Sequence, residues 1–135
     1  MKVLIIDSQG GGVGKSLIEG IRKNHPDLSV IAVGTNAAAT SAMLKAGASG
    51  AATGENAVIV NARDADIIAG PLGIVIADSM LGEVSPAIAN AVASSSAKKI
   101  LIPFDHCGKQ VVGLRNLKLS DLIELAVQEI EKFLD

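Results

Sequence analysis

Four glycines in five residues, Gly10-Gly11-Gly12-Val13-Gly14, stand between Asp7 and Lys15 near the start of a chain of 135 residues. A phosphate held at the end of a strand needs a tight turn, backbone N–H groups aimed at the anion, and a helix that begins there. Gly10 to Gly14 supply the flexibility and the close approach. A helix starting near Val13 would add the positive end of its dipole. A bare strand-to-helix turn needs fewer glycines, so anion binding is the expectation.

Which anion is less clear, because two fingerprints each fail by one position. For an ATP loop, G-x-x-x-x-G-K-[ST], Gly14-Lys15-Ser16 matches the end, but Gln9 stands where the first glycine belongs. In the variant loop of partition-type ATPases, Gly10 replaces the leading lysine. For the dinucleotide fingerprint, G-x-G-x-x-G from Gly10 puts Lys15 in the third glycine's place. The short-chain dehydrogenase variant would need a glycine at Ser8. The favoured ligand is NAD or NADP, with Gly34-Thr35-Asn36 where an acidic ribose ligand normally closes the second strand and Asn36 in its role. The alternative is ATP with magnesium, with Lys15 on phosphate, Ser16 on the metal and Asp7 or Asp78 assisting. A third reading is a structural or regulatory subunit with no small ligand.

Other residues could converge on the same edge of a parallel sheet, where ligands bind beyond the strands' carboxyl ends. Asp7 and Thr35 belong to this set. Thr53, Glu55 and Asn56 form either a second clamp or a helix cap. Gly70 and Pro71 would wall the far side. No acid, base or nucleophile stands out, and no G-x-S-x-G elbow occurs, so enzyme status stays open. His106 and Cys107 are adjacent, but no second His or Cys lies at ligand spacing, and no metal site is expected.

These residues need a scaffold. Val3 to Ile6 is an unbroken apolar run, the pattern of a strand buried on both faces. Leu17, Ile18 and Ile21 recur at helical spacing before His25-Pro26, and Ser29 to Val33 is a second strand. Helices are expected over Ala37–Ala46, Ala57–Ala65 with Thr53 as cap, Leu72–Met80, Ser85–Ser94, and Asp121–Leu134 with Ser120 as cap. Further strands are expected over Asp66–Ala69 and Lys99–Pro103, and an antiparallel one over Gln110–Leu114. The sum is a single three-layer α/β sandwich over residues 1–135, with helices on both faces of a mostly parallel sheet of about five strands.

Composition narrows the partners. Two Phe, no Tyr and no Trp leave no stacking platform for single-stranded nucleic acid, and a net charge of −2 gives no basic footprint for nucleic acid or an anionic membrane. The apolar run Ile74–Ala77 is too short to span a bilayer. One cysteine cannot make an internal disulfide, which fits a cytoplasmic chain with no signal peptide. A positive mean hydropathy of +0.43 suggests buried subunit contacts rather than a membrane, and hence a homo-oligomer.

The stretches "DSQGGGVGK", "GTNAAATSAMLKAGA", "ATGENAVIVNA" and "GPLGIVIADSMLGEVSP" resemble those of an uncharacterised family of small bacterial proteins, from Ile5 to about Pro103. The resemblance implies a cytosolic, Rossmann-like protein in which the four stretches share one surface. It implies no substrate, cofactor or catalytic residue.

Overall fold

The structure, a computed structural model, describes residues 1–103, 110–113 and 117–134. Five strands form one sheet: β1 Val3–Asp7, β2 Val30–Gly34, β3 Gly50–Thr53, β4 Ile67–Pro71 and β5 Lys98–Ile102. Their order is β3-β2-β1-β4-β5 and every pairing is parallel. Among the described residues five α-helices connect or cover them: α1 Gly12–Asn24, α2 Ala37–Lys45, α3 Glu55–Ala62, α4 Pro86–Ser94 and α5 Leu119–Glu131.

Alternation along β1 explains the layers. Successive strand side chains point to opposite faces. Val3 and Ile5 pack with Leu17, Ile18 and Ile21 of α1, Met43 of α2 and Ile123, Val127 and Ile130 of α5. Leu4 and Ile6 pack on the other face with Val58 of α3 and Ile88 and Val92 of α4. All four β1 side chains are fully buried, as an unbroken apolar run requires. The chain winds from β1 outward to β3, then returns through α3 to β4 on β1's other side. Loops leaving β1 and β4 therefore diverge, and a crevice opens at that switch point.

Several expectations are corrected. A strand not expected from the sequence ends at Thr53. Gly50-Ala51-Ala52-Thr53 is an edge strand of small residues that pairs only with β2, so it has little of the β-branched signal on which strand reading depends. Thr53 is not a cap: Gly54, at φ 106°, precedes α3 and gives it no side-chain cap. β4 does not stop before Gly70-Pro71 but includes them, and both pair with β5. Leu72–Met80 is not a helix: a single 3-10 turn, Leu72–Val75, gives way to turns with Asp78, Met80 and Leu81 at positive φ. No strand forms at Gln110–Gly113, which is loop and turn, and Leu114 lies outside the described residues. Ser120 falls inside the first turn of α5, behind Lys118 at the N-cap.

Gly70 shows how tightly β4 meets β1. A Cβ there would lie 2.2 Å from the Ile6 carbonyl oxygen. Backbone in the middle of a sheet cannot yield to it. Gly70→Ala should lower stability by about 3 kcal/mol, at the upper end of ordinary overpacking, read as a fall in the urea midpoint. An unchanged midpoint would mean that the two strands are free to separate there.

Candidate functional site at the sheet crevice

The crevice holds a cavity of about 160 Å³. One side is the turn from Asp7 to Val13, and the other is Pro71, Met80 and Leu119. Polar backbone thus faces an apolar wall. The space equals a handful of waters at roughly 30 Å³ each.

Most of the loop's N–H groups already have protein acceptors. Asp7, 4% exposed, accepts from the Ser8 amide at 2.7 Å with one carboxylate oxygen and from the Gly14 amide at 2.7 Å with the other. Gln9 N–H donates to Glu83 Oε1 at 2.8 Å, Gly11 N–H to the Ser8 carbonyl at 3.0 Å, and Lys15 N–H to the Gly11 carbonyl at 2.8 Å. Gly10 and Gly12, both exposed, donate to no acceptor among the described residues.

The glycines divide the same way. Gly11 has φ 74°, and a Cβ on it would lie 2.9 Å from the backbone of Ala39. A Cβ on Gly14 would lie 2.4 Å from Met43 Sδ and 3.1 Å from Asp7 Cβ. Those two glycines are fixed by the fold. Around Gly10 and Gly12 a Cβ would meet nothing within 4 Å, and neither has positive φ. Packing gives no reason for glycine at these two positions.

Ser8 is 3% exposed, and its hydroxyl is enclosed by protein with no hydrogen-bond partner among the described residues. A buried polar group left unsatisfied costs about 1–3 kcal/mol, so its position calls for an explanation.

The missed residue is Glu83. It comes from the segment between the 3-10 turn and α4, yet reaches the ends of β1 and β2. Its Oε1 accepts from Gln9 N–H at 2.8 Å, Thr35 Oγ1 at 2.7 Å and Asn36 Nδ2 at 2.7 Å. Asn36 Nδ2 also donates to the Gln9 carbonyl at 3.0 Å, and its Oδ1 caps α2 through the Ala39 amide at 2.9 Å. The segment is locked by its own backbone: Asp78 N–H donates to the Val84 carbonyl at 2.7 Å, and Val84 N–H to the Ser79 carbonyl at 3.2 Å. Positive φ at three non-glycine residues is the conformational cost of this tight path. Only the residue type at position 83 could have signalled the role, because the contacts span dozens of residues of chain.

The remaining expected residues scatter. Thr53 Oγ1 bonds Thr40 Oγ1 at 2.8 Å, and Glu55 Oε1 accepts from Ser85 Oγ at 2.5 Å, so both hold neighbouring elements together. Asn56 is exposed at the start of α3. None of the three lines the cavity. Pro71 and Val13 do, whereas Gly70 serves the strand contact. Lys15 is exposed in the first turn of α1. Ser16 faces a separate groove beside α5, and Asp78 sits at an exposed turn. His106 and Cys107 lie outside the described residues. No group of three or more His, Cys, Asp or Glu among the described residues could hold a metal, and no helix among them is long and apolar enough to cross a membrane.

A family model described as "Domain of unknown function (DUF3842)" matches residues 2–135. The chain belongs to the DUF3842 family. No curated protein matches this DUF3842 chain. Among solved structures it is similar to a dodecameric FMN-dependent UbiX-like decarboxylase from Escherichia coli O157:H7, at 19% identity and a TM-score of 0.46, over 97% of this chain and 76% of that one.

The two carboxylates respond oppositely to pH. Burial raises the Asp7 pKa above 3.8, against the lowering effect of the Gly14, Ser8 and Val13 amides and with a further push from the Glu83 charge. The folded state then keeps its proton to higher pH than the unfolded state, so this contribution to stability declines as pH rises from 3.8 through the raised value. Burial also acts to raise Glu83, but the Gln9, Thr35 and Asn36 donors outweigh it and hold the pKa below 4.5. That contribution is present above 4.5 and is lost as pH falls through the lowered value. Asp7→Asn should remove the declining component from a stability profile between pH 3.5 and 7. It should also lower stability at pH 7 by about 1–3 kcal/mol, because an amide group would face one of the two N–H donors. A variant more stable than wild type at pH 7 would show that desolvation of the charge outweighs both bonds.

Proposed function

We propose that this DUF3842 protein binds a phosphate-bearing ligand of the nucleotide class, with the phosphate at the turn between β1 and α1. The observation that carries this reading is the pair Gly10 and Gly12. Their N–H groups have no acceptor among the described residues, and their missing side chains leave open space beside a cavity. An oxyanion approaching the start of a 13-residue helix would use both features, and the helix dipole would favour it.

NAD or NADP is the ligand the sheet order suggests, because phosphates at a β1–α1 turn beside a switch point are the dinucleotide pattern. The ATP-magnesium reading has less support. Ser16 faces another groove, and Asp78 is in an exposed turn rather than at a strand end. A purely structural subunit would leave the two free amides without a purpose. No catalytic step is part of this proposal.

Substitution at the glycines separates ligand from fold. Gly12→Ala and Gly10→Ala should leave the melting temperature unchanged or slightly raised, since neither meets a steric block. Each should weaken phosphate-ligand binding by roughly tenfold or more in calorimetry, about 1.4 kcal/mol. Gly11→Ala should instead lower stability through strain and the Ala39 contact. Unaltered affinity in both Gly10→Ala and Gly12→Ala would remove the basis of the proposal.

A further inference from the structure

We infer that the outer face of α3 and α4 binds a second copy of this chain, with α3 lying antiparallel across α3 of the partner subunit. Exposed charge is shared unevenly between the two sides of the sheet. On one side α1 exposes Lys15, Glu19 and Lys23, and α5 exposes Asp121, Glu124 and Glu129. On the other, α4 carries no charged residue, and α3 carries only Glu55 at its first position, with Arg63 just past its last. A surface helix ordinarily puts charge on its outward face, whereas the centre of a protein interface is depleted of it. The outward positions here are apolar or neutral. Val60 is 45% exposed, Ile59 is half-buried, and Ala87 and Asn90 are exposed. A groove of about 520 Å³ runs between the helices, with Ile59 and Ala62 on the α3 side and Ala87 and Ala91 on the α4 side. The small side chains of α4 leave room there for a larger apolar one from outside.

The two charges say what covers this face. Glu55, Ile59 and Arg63 follow one another at four-residue steps, so they share one side of α3. A two-fold axis near Ile59 runs the helix antiparallel to its copy and sets Arg63 against Glu55 of the partner subunit, once on each side of the axis. Opposite charges placed evenly about an apolar centre are self-complementary. Glu55 keeps an oxygen for the pair, because Oε1 accepts from Ser85 Oγ and Oε2 has no partner among the described residues. Neighbouring charges are engaged elsewhere: Lys2 Nζ holds Asp64 at 2.6 Å, and Lys99 Nζ donates to the Ser95 carbonyl. Helices of 8 and 9 residues side by side present a face about 14 Å long and 20 Å wide. That footprint is smaller than a standard interface of roughly 800 Å² per partner, so the dimer belongs to the weak, concentration-dependent class.

Sedimentation equilibrium on the full chain, at concentrations up to about 1 mM, tests this. The wild type should associate reversibly in twos. Val60→Lys should abolish association and leave the melting temperature of the dilute protein unchanged. Arg63→Glu should weaken association roughly tenfold, since it turns two attractive pairs into repulsive ones. Glu55→Lys combined with Arg63→Glu should restore it, because the exchanged charges still face each other. A wild type that stays monomeric throughout, or that assembles in odd numbers, would overturn the proposal. Association left intact in a folded Val60→Lys or in Arg63→Glu would put the contact on another face and overturn it too. A double variant that associates no more tightly than Arg63→Glu would exclude the antiparallel pairing. Should Val60→Lys fail to fold, the two charge variants, both at exposed positions, still decide.

Discussion

The carboxylate of Asp7 fixes the end of β1 to the start of α1. One oxygen takes the amide that leaves the strand, and the other takes the amide of Gly14 inside the helix. Burial of an ion is costly, and the two short bonds offset that cost only in part, since burial still raises the Asp7 pKa. The position of every other loop atom follows from this clamp. Gly14 must come close to Asp7, which leaves no room for a side chain between Asp7 and Met43. The intervening residues are pushed outward, and Gly10 and Gly12 reach the surface with their donors free. An acid beside a candidate anion site looks self-defeating. Its charge is directed into the loop's own amides, and the amides of Gly10 and Gly12 have no acceptor among the described residues.

Glu83 solves a related problem at β2. The strand ends at Gly34 and is followed by Thr35 and Asn36, with no acid of its own. The acid arrives from the far side of the switch point, on a segment whose backbone is tied to itself and strained at Asp78, Met80 and Leu81. Strain of this kind persists only where surrounding structure over-determines it. Three donors from two different loops converge on Glu83 Oε1 and provide that constraint. The segment thus bridges β1, β2 and β4 at their carboxyl ends, and its strained path is what brings a carboxylate there.

How much of this was legible in the sequence depends on the range of the interaction. Val3 to Ile6 reads as a buried strand because burial on both faces removes alternation, and the face of α1 is legible from Leu17, Ile18 and Ile21. Ser85 and Pro86 mark the start of α4, and the Ser85 hydroxyl does accept from Ile88 N–H at 3.2 Å. β3 was illegible because an edge strand of glycine and alanine owes its state to its partner and not to propensity. Leu72–Met80 misled because apolar residues there serve the core individually: Ile74 and Met80 pack into the α3–α4 face from turns, without a shared period. For the site, Asp7 and the glycine cluster were legible as a type of turn. Their division into fixed and free glycines was not, since it depends on Ala39 and Met43 across the layer. Thr35 and Asn36 were placed on the right edge, but the partner that occupies them lies 47 or 48 residues away.

The near-miss of both fingerprints has a physical origin in that division. A dinucleotide loop uses one glycine for the turn, one for approach of the phosphate and one for helix-to-strand packing, at fixed spacing. The matching backbone features stand here in a shorter turn: Gly11 adopts the positive φ, Gly12 has open space around it, and Gly14 makes the close packing. Packing falls at Gly14 because the Asp7 clamp draws that amide inward, so the position a fingerprint would reserve for the third glycine is Lys15, which is exposed and free to be large. A pattern match counts spacings, whereas the backbone satisfies contacts. When an acid at the strand end shortens the turn, the contacts survive and the spacing does not.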